Sequence, residues 1–181
     1  GTVFSFELPL GKQNPDARSA LDLAESLRGL RILVVDDNDT NREILAHQIH
    51  GWSMHSIGAS SGNEALQTID RPTAFDLAIL DLHMPEMDGF ALAHAIKAKA
   101  GCTTIPLVML SSVSIGTDHP GRQSAPIDYY LTKPVRQSDL YDAIATAMSL
   151  QRVRSLAARP QLSVAAAVPD KIGGHVLVAE D

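Results

Sequence analysis

Short apolar runs recur through the middle of the chain, and segments with helical spacing of apolar residues lie between them. The run at residues 77–80 has no polar alternation, which is typical of a strand buried on both faces of a parallel sheet. Five such strands are predicted, at residues 32–35, 52–57, 77–80, 106–110 and 128–131. Strands that alternate with helices predict an α/β domain whose parallel sheet is wound on both sides.

The predicted helices have recognisable starts and apolar faces. Residues 40–43 and 61–64 each form a candidate capping box, and Asp88 is a candidate cap for a third helix. The last helix has the clearest i, i+3, i+4, i+7 pattern, at Leu140, Ala143, Ile144, Ala147 and Met148. Between the last two strands, residues 114–126 are rich in Gly and Pro. We expect a short or irregular fourth helix there.

Both ends of the chain differ from this central pattern. Residues 2–8 alternate like a half-buried strand, and residues 159–174 have the Ala, Pro and Gly content of a linker. The final residues, 175–181, repeat the apolar run and paired acids of residues 32–37. We interpret Arg152 and Arg154 as a solvated basic face on a continued last helix. The predicted segments are 1–13, a connector helix at 14–29, the central domain at 30–150, a helix extension and linker at 151–174, and 175–181.

Composition narrows the function classes. The chain has 15 basic and 21 acidic residues, and this balance argues against a general nucleic-acid surface. Cys102 is the only cysteine, which excludes an internal disulfide and a cysteine-based metal site. There is no signal-like start and no run long enough to span a bilayer. We expect a cytoplasmic chain without direct membrane contact, while a longer parent could still carry a membrane anchor.

Polar residues follow the predicted strands at one edge of the sheet. Asp36, Asp37, Asp81, Ser111 and Lys133 all lie where an apolar run ends. Three clustered carboxylates repel one another and require a cation, and all-oxygen ligands favour Mg²⁺. A lysine and a hydroxyl facing that metal suit a phosphoryl group. Asp81 is the candidate nucleophile, forming an aspartyl phosphate.

At this point the motifs resemble a known family. The stretches VVDDNDTNREIL, ILDLHMPEMDG, LVMLSS and YYLTKP together resemble the receiver (response-regulator) domain of two-component signalling, over about residues 30–150. The resemblance implies a flavodoxin-like fold with strand order 2-1-3-4-5. It also implies phosphoryl transfer from a phosphohistidine to Asp81, which then passes the group on or loses it slowly by hydrolysis.

The family pattern assigns roles residue by residue. Asp37 and Asp81 would bind Mg²⁺ directly, together with the backbone carbonyl of His83. Asp36 would act mainly through water, and Lys133 would pair with the phosphoryl oxygens.

A second group of residues resembles the family's switch. Ser111 matches its hydroxyl, with Ser112 left as an alternative, and Tyr130 matches an aromatic residue that moves with it. The peptide bond between Lys133 and Pro134 matches one that is usually cis in the family.

The ends carry weaker resemblances. GTVFSFELPL is similar to the closing strand of a histidine-kinase ATP-binding domain, and HVLVAED to the opening of a second receiver. The chain would then come from the middle of a hybrid sensor histidine kinase, and this piece would not itself be an enzyme beyond its own phosphorylation and dephosphorylation. The implied partners are the kinase domains of the same parent chain, a histidine phosphotransfer domain and the second receiver.

Two alternatives were weighed. A receiver-shaped module could act mainly by docking to kinase domains or by binding a ligand. A phosphatase of the haloacid dehalogenase type also uses a strand-end aspartate, but it usually needs a second acid two residues on, where this chain has His83. We set the phosphatase aside.

Overall fold

Five parallel strands form one sheet in the order β2-β1-β3-β4-β5, as predicted. The structure is a computed structural model that describes residues 25–71, 74–112 and 124–157. The strands are β1 (Arg31–Val35), β2 (His55–Ala59), β3 (Leu77–Asp81), β4 (Leu107–Ser111) and β5 (Tyr129–Thr132). Since β1 pairs in parallel with both β2 and β3, the carboxyl ends of these three strands lie side by side.

Four helices cover the two faces of the sheet within the described ranges. They are α1 (Asp39–Gly51), α2 (Gly62–Ile69), α3 (Gly89–Ala98) and α4 (Gln137–Ala157). The longest, α4, continues past Leu150, as the sequence predicted. No helix in the described part of the chain is both long and apolar enough to cross a bilayer.

The core has two halves because successive strand residues point to opposite faces. On one face, α1 and α4 pack against alternate strand residues such as Ile32, Val34 and Ile79. On the other, α2 and α3 pack against Leu33, Val35 and their neighbours on β3 and β4. All five residues of the predicted stripe on α4 are buried. Because helices cover both faces of the sheet, reactive polar side chains are expected where the strands end.

The cap of α1 was predicted wrongly. The helix begins at Asp39 and is capped by Asn38, whose side chain accepts a hydrogen bond from the Asn41 amide, so Thr40 is not the cap. The Asn38 N–H donates to Asp36 Oδ1 at 2.9 Å, which turns the chain into the helix directly after the acid pair.

The cap of α2 was predicted correctly. The Ser61 hydroxyl accepts from the Glu64 amide at 3.2 Å. The Glu64 carboxylate then accepts from the backbone N–H of Ser60 at 2.7 Å, one residue before the position that a regular capping box uses.

The second strand lies later in the chain than predicted. Trp52 is the C-cap of α1, and Ser53 has a φ of 61°, so these residues form the turn and the strand starts only at His55. The bounds of the other four strands differ from the predicted ones by at most one residue at either end.

The chain enters the domain through a buried residue. Leu27 is 1% exposed and belongs to the same core half as α1 and α4. Gly29 has a φ of 74° and donates its N–H to the Ser53 carbonyl at 2.8 Å, which ends the helical turn as predicted. The predicted strand at 2–8, the earlier part of the connector, most of residues 114–126 and the segments from 158 onward lie outside the described residues.

Candidate functional site

Three acids meet at the carboxyl ends of β1 and β3. Asp36 and Asp37 follow β1 directly, and Asp81 is the last residue of β3. One oxygen from each of the three carboxylates lies within 4.8 Å of the others. Asp36 is 0% and Asp81 4% exposed, whereas Asp37 is open to solvent. The predicted gathering of strand-end acids is confirmed.

Lys133 supplies a cation to this cluster from the segment after β5. Its Nζ lies 2.8 Å from Asp36 Oδ2 and 2.9 Å from Asp81 Oδ1. Its backbone N–H donates to the Ser111 carbonyl at 2.7 Å, which fixes the lysine beside the end of β4. One lysine against three carboxylates leaves the cluster with excess negative charge.

The pKa values reflect this imbalance. Burial raises the pKa of Asp81, and the charges of Asp36 and Asp37 raise it further, while contact with Lys133 lowers it without cancelling the shift. Burial lowers the pKa of Lys133, but its hydrogen bonds to Asp36 and Asp81 more than offset this and raise it overall. The lysine therefore stays protonated, and an added divalent cation would favour the ionised form of Asp81. The donor set is all oxygen, which fits a hard ion such as Mg²⁺.

Asp36 is held by more donors than the sequence suggested. Its carboxylate accepts from the Asn38 N–H at 2.9 Å and from Asn41 Nδ2, which lies 3.1 Å from each oxygen. Its main-chain carbonyl accepts from Arg42 Nη1 at 2.6 Å. The sequence pattern indicates Asn41 only as part of a candidate capping box. The available signal is a polar residue in the first turn of the helix that follows the acid pair.

The loop after β3 brings α3 close to Asp81. A Cβ on Gly89 would lie 2.5 Å from the Asp81 carbonyl oxygen and 2.7 Å from Met109 Sδ, so only glycine allows this approach. Asp88 caps α3 by accepting from the Ala91 amide at 2.7 Å, as predicted. His83 is exposed in this loop.

The predicted switch residues lie in neighbouring strands. Ser111 ends β4 and is 2% exposed, whereas Ser112 is exposed, so the two serines differ in surroundings. Tyr130 is opposite Met109 in the sheet and packs against the core half under α2 and α3. The peptide bond between Lys133 and Pro134 is cis, as predicted.

The histidines form no metal set among the described residues. His47, His50, His83 and His94 are all exposed. The described acids offer one candidate metal cluster, formed by Asp36, Asp37 and Asp81.

Known proteins share this arrangement. The family model described as the response regulator receiver domain matches residues 32–145, which include every acid of the cluster and Lys133. The chain belongs to the receiver-domain family.

Relatives and solved structures agree with this family. The sensor histidine kinase GacS of Pseudomonas protegens is 28% identical over 170 residues, which cover 90% of this chain and 18% of GacS. A signal receiver domain of a histidine kinase from Syntrophus aciditrophicus is 30% identical, with a TM-score of 0.61, over 67% of this chain and 91% of that one. The receiver domain of the Pseudomonas aeruginosa sensor kinase PA1611, described with a magnesium ion coordinated in its active-site cleft, shares the fold at 21% identity and a TM-score of 0.61, over 67% and 98% of the two chains.

The match is confined to a small part of each full-length relative. This chain spans 13% to 18% of the curated kinases it matches. It is a receiver domain similar to those in hybrid histidine kinases.

Proposed function

We propose that this receiver accepts a phosphoryl group from a phosphohistidine onto Asp81 within a hybrid histidine kinase. One observation carries the proposal. Asp81 is almost fully buried at the strand-end edge, yet one carboxylate oxygen lies 2.9 Å from Lys133 Nζ and the group adjoins two further acids. A buried carboxylate with a raised pKa beside a fixed cation is a candidate nucleophile rather than a structural acid.

The chemistry needs little beyond positioning and charge. A carboxylate oxygen of Asp81 attacks phosphorus, an O–P bond forms, the P–N bond breaks and its electron pair returns to the donor imidazole. Lys133 Nζ then moves from the carboxylates to a phosphoryl oxygen, where it offsets the developing charge.

The cation proposed here is Mg²⁺. Asp37, Asp81 and the backbone carbonyl of His83 would hold it, and Asp36 would contact it through water. When bound, it supplies charge neutralisation for the phosphoryl oxygens. Support comes from the all-oxygen cluster and from the magnesium described in the fold neighbour PA1611.

The response to phosphorylation is assigned to two residues. Ser111 is our choice over Ser112 because it is buried at the same strand-end edge as Asp81, whereas Ser112 is exposed, and the Ser111 hydroxyl would contact the phosphoryl group. Tyr130, on the neighbouring strand β5, would move inward with it.

The donor would approach beside α1. A cavity of about 410 Å³ is lined by Asp36 and Lys133 and by the apolar side chains of Ile44 and Val135. Ile44 is 51% exposed on α1, which provides an apolar contact for a histidine-bearing helix from a kinase or phosphotransfer domain.

The parent protein is part of the same proposal. We place residues 1–13 at the end of a kinase ATP-binding domain, residues 30–150 in the receiver and residues 175–181 at the start of a second receiver. The segment would act on the cytoplasmic side of the membrane and would catalyse only its own phosphorylation and slow dephosphorylation.

Labelling with a small phosphodonor tests the phosphoacceptor role. Phosphoramidate with Mg²⁺ should add one phosphoryl group to the wild type, with loss of labelling in Asp81→Ala and in excess chelator. Asp139→Ala removes an exposed acid from the first turn of α4 and should label normally. Undiminished labelling of Asp81→Ala contradicts the proposal, and no labelling of the wild type favours the docking-module alternative.

A further inference from the structure

We propose that Asn41 is a positioning residue that competes with metal-bound water for the Asp36 carboxylate and so sets the affinity of the site for Mg²⁺. The inference rests on the proposed function. It starts from the surroundings of Asp36, which is 0% exposed and therefore depends on protein donors for all its hydrogen bonds.

Three donors already surround the Asp36 carboxylate, which offers about four lone-pair sites. Oδ1 accepts from the Asn38 N–H at 2.9 Å, and Oδ2 accepts from Lys133 Nζ at 2.8 Å. The third donor, Asn41 Nδ2, lies 3.1 Å from both oxygens and so makes one forked contact across the carboxylate. A metal-bound water that donates to Asp36 therefore competes with these donors for the same two oxygens.

Asn41 is the donor that can leave. The Asn38 N–H belongs to the backbone turn that caps α1, so it is fixed by the helix. Lys133 carries a charge and also contacts Asp81, and charge-assisted hydrogen bonds are stronger than neutral ones. The Asn41 amide is neutral, and its two contacts are the longest of the four.

The structure also gives the Asn41 amide a place to go. Asn41 lines the cavity beside α1, together with Gln48 and Ile44, and its side chain is only partly buried. Turning the amide into this space frees one acceptor site on each Asp36 oxygen. The same amide stabilises the buried carboxylate when no cation is bound, so it favours the metal-free form over the metal-bound one.

Two substitutions of Asn41 test this competition. Asn41→Leu keeps a side chain branched at Cγ and removes the donor, and Asn41→Ala removes the donor and leaves space. His47→Ala is the control, because His47 is exposed further along the same helix. Mg²⁺ affinity is measured on this 181-residue chain by titration calorimetry, and thermal unfolding is followed with and without Mg²⁺.

Both Asn41 variants should bind Mg²⁺ about three- to tenfold more tightly than the wild type, which is the effect of removing one competing hydrogen bond. They should unfold at a lower temperature in chelator, and saturating Mg²⁺ should restore most of the difference. The control should match the wild type in both measurements. If Asn41→Leu does not fold, the Mg²⁺ affinity of Asn41→Ala alone tests the competition.

Unchanged or weaker Mg²⁺ binding by a folded Asn41 variant overturns the inference, as does a wild type that binds no Mg²⁺. Phosphoramidate labelling separates this failure from failure of the proposed function. If the Asn41 variants bind Mg²⁺ more tightly but Asp81 is not labelled, the phosphoacceptor proposal is wrong and the competition is supported. If Asp81 is labelled but the variants bind Mg²⁺ like the wild type, only the competition is wrong.

Discussion

Asp81 and Asp128 both have buried side chains next to strand termini, but they lie at opposite edges of the sheet. Asp128 directly precedes β5, and its side chain is 4% exposed. Its two oxygens have separate partners, the Leu107 N–H at 2.9 Å and the Arg154 guanidinium. The Asp81 side chain is 6% exposed, shares Lys133 with Asp36 and adjoins two other carboxylates.

The difference separates a structural acid from the proposed phosphoacceptor. At the amino edge, Asp128 has a charged and a neutral donor of its own, so it joins β4, β5 and the end of α4. At the carboxyl edge, acids outnumber cations, and this arrangement opposes the ionised form of Asp81. Burial alone therefore does not identify a reactive acid; the balance of its partners does.

The largest change in the free energy of unfolding is expected when the structural acid Asp128 is replaced. Asp128→Ala leaves the Leu107 N–H without its acceptor and Arg154 without its anion, so we expect the free energy of unfolding to fall by about 2 kcal/mol. Urea unfolding in chelator measures this change. If Asp128→Ala loses less stability than Arg154→Ala, Asp128 does not hold these two donors in the way described.

Replacing Asp81 should change the free energy of unfolding in the opposite direction. Asp81→Asn removes an ionised group that the metal-free fold disfavours, so the free energy of unfolding in chelator should rise by about 1 kcal/mol. Because the folded pKa of Asp81 is raised, the carboxyl is stabilising only while protonated, and its contribution is lost as pH rises through that pKa.

The advantage of Asp81→Asn should therefore disappear as pH falls below about 4, where the wild-type carboxyl is protonated in both states. Thermal unfolding from acidic to neutral pH follows this change. Equal or lower stability of the variant at neutral pH would remove the contrast between the two edges.

A smaller effect is expected at the arginine of the structural pair. Arg154 is 66% exposed, so Arg154→Ala should lower the free energy of unfolding by only about 0.5–1 kcal/mol. The effect should weaken in high salt, which urea unfolding at two ionic strengths would detect. A salt-independent loss would point to packing of the arginine stem instead of its charge.

The smallest effect concerns an exposed acid near the carboxyl edge. Hydrogen bonds from Ser60 lower the pKa of Glu64, so its contribution is present above the unfolded pKa and is lost as pH falls through the folded one. Glu64→Gln should lower stability by about 0.5 kcal/mol or less at neutral pH, and the difference should vanish in acid. A constant difference across pH would assign the effect to helix propensity.

The fold and the centre of the site could be predicted because both depend on local pattern. Apolar runs give buried parallel strands, and the polar residues that follow each run lie at the same edge, which brings Asp36, Asp81 and Lys133 together. Residues 114–126 had too little apolar content to predict a regular helix, and most of them lie outside the described residues.

Contacts between distant parts of the chain could not be predicted in the same way. The sequence predicts Asp128 as the first residue of a strand and Arg154 as a solvated charge, but the two side chains are paired although they are 26 residues apart. Even over five residues, the forked contact of Asn41 with Asp36 depends on how α1 packs beside the end of β1. Helix spacing gives the face of a residue but not its partner on another element.

Locating the phosphoryl group tests the central claim most directly. After reaction with phosphoramidate and Mg²⁺, borohydride reduces an aspartyl phosphate to homoserine, and peptide mass spectrometry identifies the altered residue. The account predicts a single modified position at Asp81, in wild type and in Asp128→Asn alike. Modification at Asp36 or Asp37, or equal modification of Asp128, would contradict it.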